Sequence, residues 1–182
     1  PIVATAFWTR MRRGEILSLT WDKVDLKGRM IRLESSDTKE SLSTKVPISK
    51  TLKNILGKLP IGLHNDYVFL FRGKPFRHIR EGLKRGCEDA GIPYARKVKD
   101  GFTFHDLRHT AKTLMRKAGV DKNVRAVIFG HSISGDMDFR YDHVDESDLS
   151  DAIDRTEEFL ESVSQNVSQA GKKLNKNRTT SP

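Results

Sequence analysis

The sequence predicts an α+β fold, a mainly helical domain carrying a small antiparallel sheet. Two stretches predict the helical part. From Thr103 onward Leu107, Ala111, Leu114, Met115 and Ala118 recur at helical spacing, and Ile79, Leu83, Cys87 and Ala90 do the same at i, i+4, i+8 and i+11. The sheet is predicted by a change of period: Ile31 and Leu33 alternate with polar residues, and a second run, Lys45–Ile48, follows across a polar loop.

The elements follow in order. Residues 2–8 are apolar, and Met11, Ile16, Leu17 and Leu19 continue the pattern around Arg12, Arg13 and Glu15, which reads as helix, break near 9–13, helix. Trp21–Asp25 is a short extended piece, and Lys27-Gly28 turns the chain into the strand Met30–Leu33. Lys39 lies in the polar loop 34–43. Ser49 caps a helix carrying Leu52, Ile55 and Leu56, stopped by Gly57 and Pro60. Tyr67–Phe71 reads as a short strand and Pro75 as the opening of the next helix, which Gly91 and Pro93 end; its exposed side carries Arg77, Arg80, Lys84 and Arg85. A basic loop, 92–101, leads to the central helix, where Thr103 and Asp106 form the N-terminal cap and Gly119 the stop.

At about 100° per residue, His105, Arg108 and Lys112 fall on the side of that helix away from Leu107, Leu114 and Ala118. A short helix from Asp121 to Phe129 ends at Gly130 and delivers His131 just past its C-terminus, and Tyr141 follows a Ser/Gly/Asp-rich turn. An acidic helix is expected over 145–163, with Leu149, Ala152, Ile153, Leu160 and Val163 on its apolar side. Residues 164–182 read as a disordered polar tail, leaving 1–163 as one domain.

The 182 residues carry a formal net charge of +9, unevenly spread. Residues 145–163 hold eight acids and one arginine and the tail holds four basic residues, so residues 1–144 carry +12. A body this basic favours a polyanionic partner such as nucleic acid. Lone Cys87 excludes a disulfide framework within the chain and suits a reducing cytoplasm. No apolar run approaches the roughly 20 residues that cross a bilayer, and no signal peptide is visible, so a soluble cytoplasmic protein is expected, nucleoid-associated when on DNA. The chain starts on Pro1, inside what reads as a helix, and is expected to be a piece of something longer.

Were Arg12, Lys39, His105, Arg108, His131 and Tyr141 to converge on one phosphodiester, each would have a task. Two guanidiniums grip non-bridging oxygens bidentately and stay charged at any working pH, which stabilises a pentacoordinate transition state without a metal. A phenol with a pKa near 10 needs nearby positive charge or a base, and imidazoles can supply it. A lysine could protonate the departing 5′ oxygen, an effect worth roughly 10²- to 10⁴-fold. Singly, each residue has a plainer reading: Arg12 pairing with Glu15 on a helix surface, Lys39 solvated, His105 a first-turn residue, Tyr141 an aromatic at the core's edge.

The series Arg12-Arg13-Gly14-Glu15-Ile16-Leu17, Thr38-Lys39 with Val46-Pro47-Ile48, His105-Asp106-Leu107-Arg108-His109-Thr110, Gly130-His131 and Arg140-Tyr141-Asp142-His143 resembles the successive motifs of the tyrosine recombinases, the phage integrase family. The resemblance covers residues 5 to about 160. It implies that Arg12 and Arg108 bind the scissile phosphate, that Lys39 is the general acid, that His105 and His131 assist proton transfer and phosphate binding, and that Tyr141 is the nucleophile, with Glu15 in support. It implies a site-specific recombinase that needs no cofactor and works on double-stranded DNA with other protomers in a tetrameric synapse. It also implies a three-stranded antiparallel sheet in the catalytic domain. Two departures stand out: Arg10 occupies a position where the family usually has glycine and could compete with Arg12, and the family's N-terminal DNA-clamping domain is expected to be missing. Glu15 and Ile16 follow Arg12 at the family's spacing, which favours Arg12.

Three questions stay open at this level. The acidic helix could dock on a neighbouring protomer or fold back on its own domain. The chain could be a DNA-binding or partner-docking module of the same fold without turnover. A zinc hydrolase using His105, His109 and His131 is the remaining alternative, weakened by the short Asp106 and by Arg108 beside the metal.

Overall fold

The computed structural model describes residues 1–38, 43–61, 66–95, 97–129 and 144–178, with side chains described as far as residue 167. Two short helices open the chain, α1 over Ile2–Thr9 and α2 over Arg13–Leu17. The threonine hydroxyls of α1 donate to carbonyls one turn back, Thr5 to Pro1 at 3.1 Å and Thr9 to Thr5 at 2.6 Å, so both can be buried beside Ala6 and Trp8. The helix stops at Arg10, whose φ of 58° lies in the left-handed region, and Arg10 N–H still bonds Ala6 O. That conformation explains why glycine suits this position and why arginine is costly there.

A 3-10 turn, Trp21–Lys23, replaces the start of the expected extended piece and runs into β1, Val24–Asp25. Strands β2, Met30–Leu33, and β3, Thr44–Pro47, complete an antiparallel sheet in the order β1-β2-β3, with Ile31 opposite Val46 and Leu33 opposite Thr44. The three-stranded sheet and mainly helical architecture are thus as expected. Ser49 caps α3, Lys50–Leu56, accepting the Leu52 N–H at 3.0 Å.

The next segment corrects the sequence reading. Pro75 does not open a helix; it lies in β5, Lys74–Pro75, which pairs with β4, Leu70–Phe71, and α4 begins only at Arg80 and ends at Asp89. The two strands are joined by Arg72 and Gly73, both at positive φ (52° and 75°), the backbone of a two-residue hairpin. Arginine at the first of these positions hides a turn usually marked by Asn-Gly.

The central helix α5, Phe104–Lys117, starts with the expected capping pair: Thr103 N–H and Oγ1 donate to Asp106 at 2.7 and 2.6 Å. Leu107, Ala111 and Met115 are buried, while His105 and Lys112 are exposed and Arg108 is half-buried. Helix α6, Lys122–Phe129, buries Ile128 and Phe129.

The acidic segment forms α7, Glu146–Arg178, and continues well past Val163. Residues 164–178, expected as disordered tail, are therefore helical. Its first half folds back on its own domain against α5, α6 and β3, burying Leu149, Ala152, Ile153 and Thr156. Its acids meet basic partners of the same chain: Asp154 with Arg29 at 3.0 Å and Glu146 with Lys45 at 2.7 Å. Buried Glu157 accepts the N–H groups of Lys50 and Thr51 at 3.0 and 2.8 Å, so a carboxylate of α7 caps the N-terminus of α3. No described helix is long and apolar enough to cross a membrane.

Candidate active site

Arg12 and Arg108 are distant in sequence and adjacent in space. Arg12 is the residue before α2, and its backbone N–H and guanidinium both bond Glu15, at 2.7 and 3.2 Å. Glu15 is buried and holds Arg12 in place rather than merely pairing with it on a surface. Arg108, one turn into α5, donates from Nη1 to the carbonyl of Arg10 and from Nη2 to the carbonyl of Phe129. It thereby ties α1 and the end of α6 to α5.

Both arginines line one open cleft of 760 Å³, together with His105, Arg13, Arg80 and Tyr94. Arg12 and Arg108 also border a smaller space of 30 Å³, with Arg10, Glu15, Thr38 and Thr44. Thr38 comes from the β2–β3 connection, which carries Lys39 in sequence, and Thr44 opens β3. Lys39, His131 and Tyr141 themselves lie outside the described residues. Among the expected site residues that are described, Arg12, Glu15, His105 and Arg108 are brought together.

His105 stacks edge to face on His109, ring centroids 4.7 Å apart. Asp106 between them is engaged in the cap; the Thr103 hydroxyl above all, and then its N–H and the two imidazoles, hold its carboxyl below the usual carboxylate range against the opposing effect of burial. Among the described residues no group of three or more His, Cys, Asp or Glu side chains converges as a metal site. His131, which the zinc alternative needs, is outside them.

Two contributors were not assigned from sequence. Arg10 does not compete with Arg12 in the cleft; it is 1% exposed, with its guanidinium 5.0 Å from the centroid of Phe129. The same ring is faced by Arg108 at 5.0 Å and by Lys112 at 5.7 Å. Each such contact contributes about 0.5 to 2 kcal/mol depending on desolvation. Lys112 sharing a helix side with His105 and Arg108 was the one signal of this cluster in the sequence. Burial, and then Arg108, lower the Arg10 pKa to about 9, so it is charged at neutral pH but poorly accommodated.

The phage integrase family model matches residues 2–148. The shufflon-specific DNA recombinase of Escherichia coli is 35% identical over 141 residues, 76% of this chain and 33% of that protein. The integrase of Salmonella phage P22 is 26% identical over 98% of this chain and 47% of its own length. The crystal structure of XerA recombinase superposes with a TM-score of 0.61 at 28% identity, covering 81% of this chain and 54% of that one. The chain belongs to the phage integrase family, the tyrosine recombinases. It spans less than half the length of these two curated relatives.

Proposed function

We propose that this chain is the catalytic portion of a site-specific DNA recombinase, which cleaves and rejoins strands through a 3′-phosphotyrosine ester without a metal ion. The observation that carries this reading is the meeting of Arg12, Arg108 and His105 on one basic cleft, from helices far apart in the chain. Two forked cations there can bind a phosphate bidentately and stabilise the added charge as a nucleophile attacks phosphorus. Tyr141 is the nucleophile, Lys39 protonates the departing 5′ oxygen, and His131 assists His105; their sequence motifs and the family membership support these roles. The phosphotyrosine conserves the energy of the phosphodiester, so a free 5′ hydroxyl can reverse the attack on another strand. Arg13 and Arg80 on the rim extend the positive surface along which duplex DNA would lie. Joining of two duplexes requires several protomers, and the tetrameric synapse remains part of the proposal.

Incubation with nicked half-site DNA followed by denaturing electrophoresis tests this reading. A covalent protein–DNA band is expected in wild type, undiminished by excess chelator and absent in Tyr141→Phe. Stable binding with no such band would reduce the chain to a docking module, and chelator-sensitive cleavage would favour the zinc hydrolase.

A further inference from the structure

Arg10 is the most buried cation among the described residues. Among the described residues its Nε and Nη1 have no hydrogen-bond partner, although both atoms are shielded from solvent. It holds this position from a left-handed backbone that arginine tolerates poorly, next to a second guanidinium. A side chain chosen for stability alone would be apolar or absent here, since burying an uncompensated charge opposes folding. The groups around it are Arg12 and Glu15 near α2, Arg108 and Lys112 on α5, and the Phe129 ring of α6. Glu15 is bonded to Arg12, so positive charge predominates among the described residues.

We infer that Arg10 is a positioning residue for phosphate binding: a third guanidinium, held beside Arg108 at the Phe129 ring, whose charge is compensated when an oxyanion enters the cleft. Its carbonyl accepts from Arg108 Nη1 while its guanidinium, like that of Arg108, lies 5.0 Å from the centroid of the Phe129 ring. Arg10 therefore acts on Arg108 twice, setting the plane of its fork and raising the positive potential at the phosphate. The unfavourable burial is relieved in the bound state, which converts a folding cost into affinity for the anion.

This inference rests on the phosphate site proposed above, and inorganic phosphate separates the two. Phosphorus NMR titration and thermal unfolding are measured on wild type, Arg10→Met, Arg10→Lys, Arg12→Gln and Arg108→Gln. Arg10→Met, which keeps the volume and removes the charge, is expected to melt at higher temperature and bind phosphate about tenfold more weakly, the effect of one partly screened cation several ångströms away. Arg10→Lys is expected to recover most of the affinity. Wild-type affinity in Arg10→Met, alongside weakened Arg12→Gln and Arg108→Gln, would overturn the role of Arg10 alone. A lower melting temperature in Arg10→Met, or equal weakening in Arg10→Lys, would make Arg10 structural and likewise overturn it. Unchanged affinity in all four variants would remove the phosphate site itself.

Discussion

Arg108 is fixed by two neutral oxygens, the carbonyls of Arg10 and Phe129, which orient its planar fork without cancelling its charge. Lysine would keep the charge and lose both the fork and the tie between helices. Arg108→Lys is therefore expected to slow covalent adduct formation on nicked DNA by about 10²- to 10³-fold in single-turnover assays, the usual effect of losing one preorganised donor. Asp106 acts differently, through the cap of α5. Its folded-state pKa is depressed, chiefly by the Thr103 hydroxyl, so its contribution is complete above the unfolded carboxylate value of about 3.9 and is lost as pH falls through the folded value. Asp106→Asn is expected to cost about 1 kcal/mol at pH 7, and urea denaturation of the two proteins should converge in acid. A difference that persisted unchanged at pH 2 would show that the charge is not what matters.

Among the elements, α3 and α7 are joined by a device that neither helix contains alone. Glu157 caps α3 from more than a hundred residues away, and replacing it leaves the Lys50 and Thr51 N–H groups without their carboxylate. Hydrogen bonds to a charged group are worth about 1.5 to 3 kcal/mol each, and part of that loss is recovered by water. Glu157→Ala should lower the unfolding free energy by about 2 kcal/mol and loosen α7 from β3, visible as faster proteolysis of the C-terminal helix. The approach to α5 depends on Gly101, because a Cβ there would lie 2.0 Å from the Ala95 carbonyl oxygen. Gly101→Ala is expected to cost about 1 to 3 kcal/mol through displacement of that backbone, measured by denaturant midpoint.

At the scale of the whole molecule, the acidic helix resolves the problem set by the charge distribution. Two of its carboxylates, Asp154 and Glu146, pair with Arg29 before β2, Lys45 of β3 and Lys50 of α3, so the negative segment is held against basic groups of its own chain, and the cleft is lined by Arg12, Arg13, Arg80 and Arg108. The buried contacts of α7 end near Leu160, and residues 161–167 are exposed. A chain ending at Ser164 should keep its unfolding free energy to within about 0.5 kcal/mol, whereas one ending at Val144 loses Leu149, Ala152 and Ile153 from the core and should not fold. Circular dichroism with urea titration checks both. If the chain ending at Ser164 were as unstable as the one ending at Val144, the distal turns would be part of the core after all.

What the sequence determined by itself was local or ordered along the chain. The Thr103–Asp106 cap, the Ser49 cap, the period change at Ile31–Leu33 and the succession of motifs are written in neighbouring residues, because helices, strands and caps depend on spacings of a few positions. The Arg72-Gly73 hairpin was missed for the same reason in reverse: arginine stands at the first turn position, where Asn or Asp usually marks positive φ. The convergence of Arg12 with Arg108, the packing of α7 on its own domain and the use of Glu157 as a distant cap were decided only by tertiary structure. So was the fate of Arg10, which sequence reasoning allowed as a competitor of Arg12 and the fold buries against the Phe129 ring. Burial and long-range pairing depend on which surfaces meet, and no spacing along a chain encodes that directly.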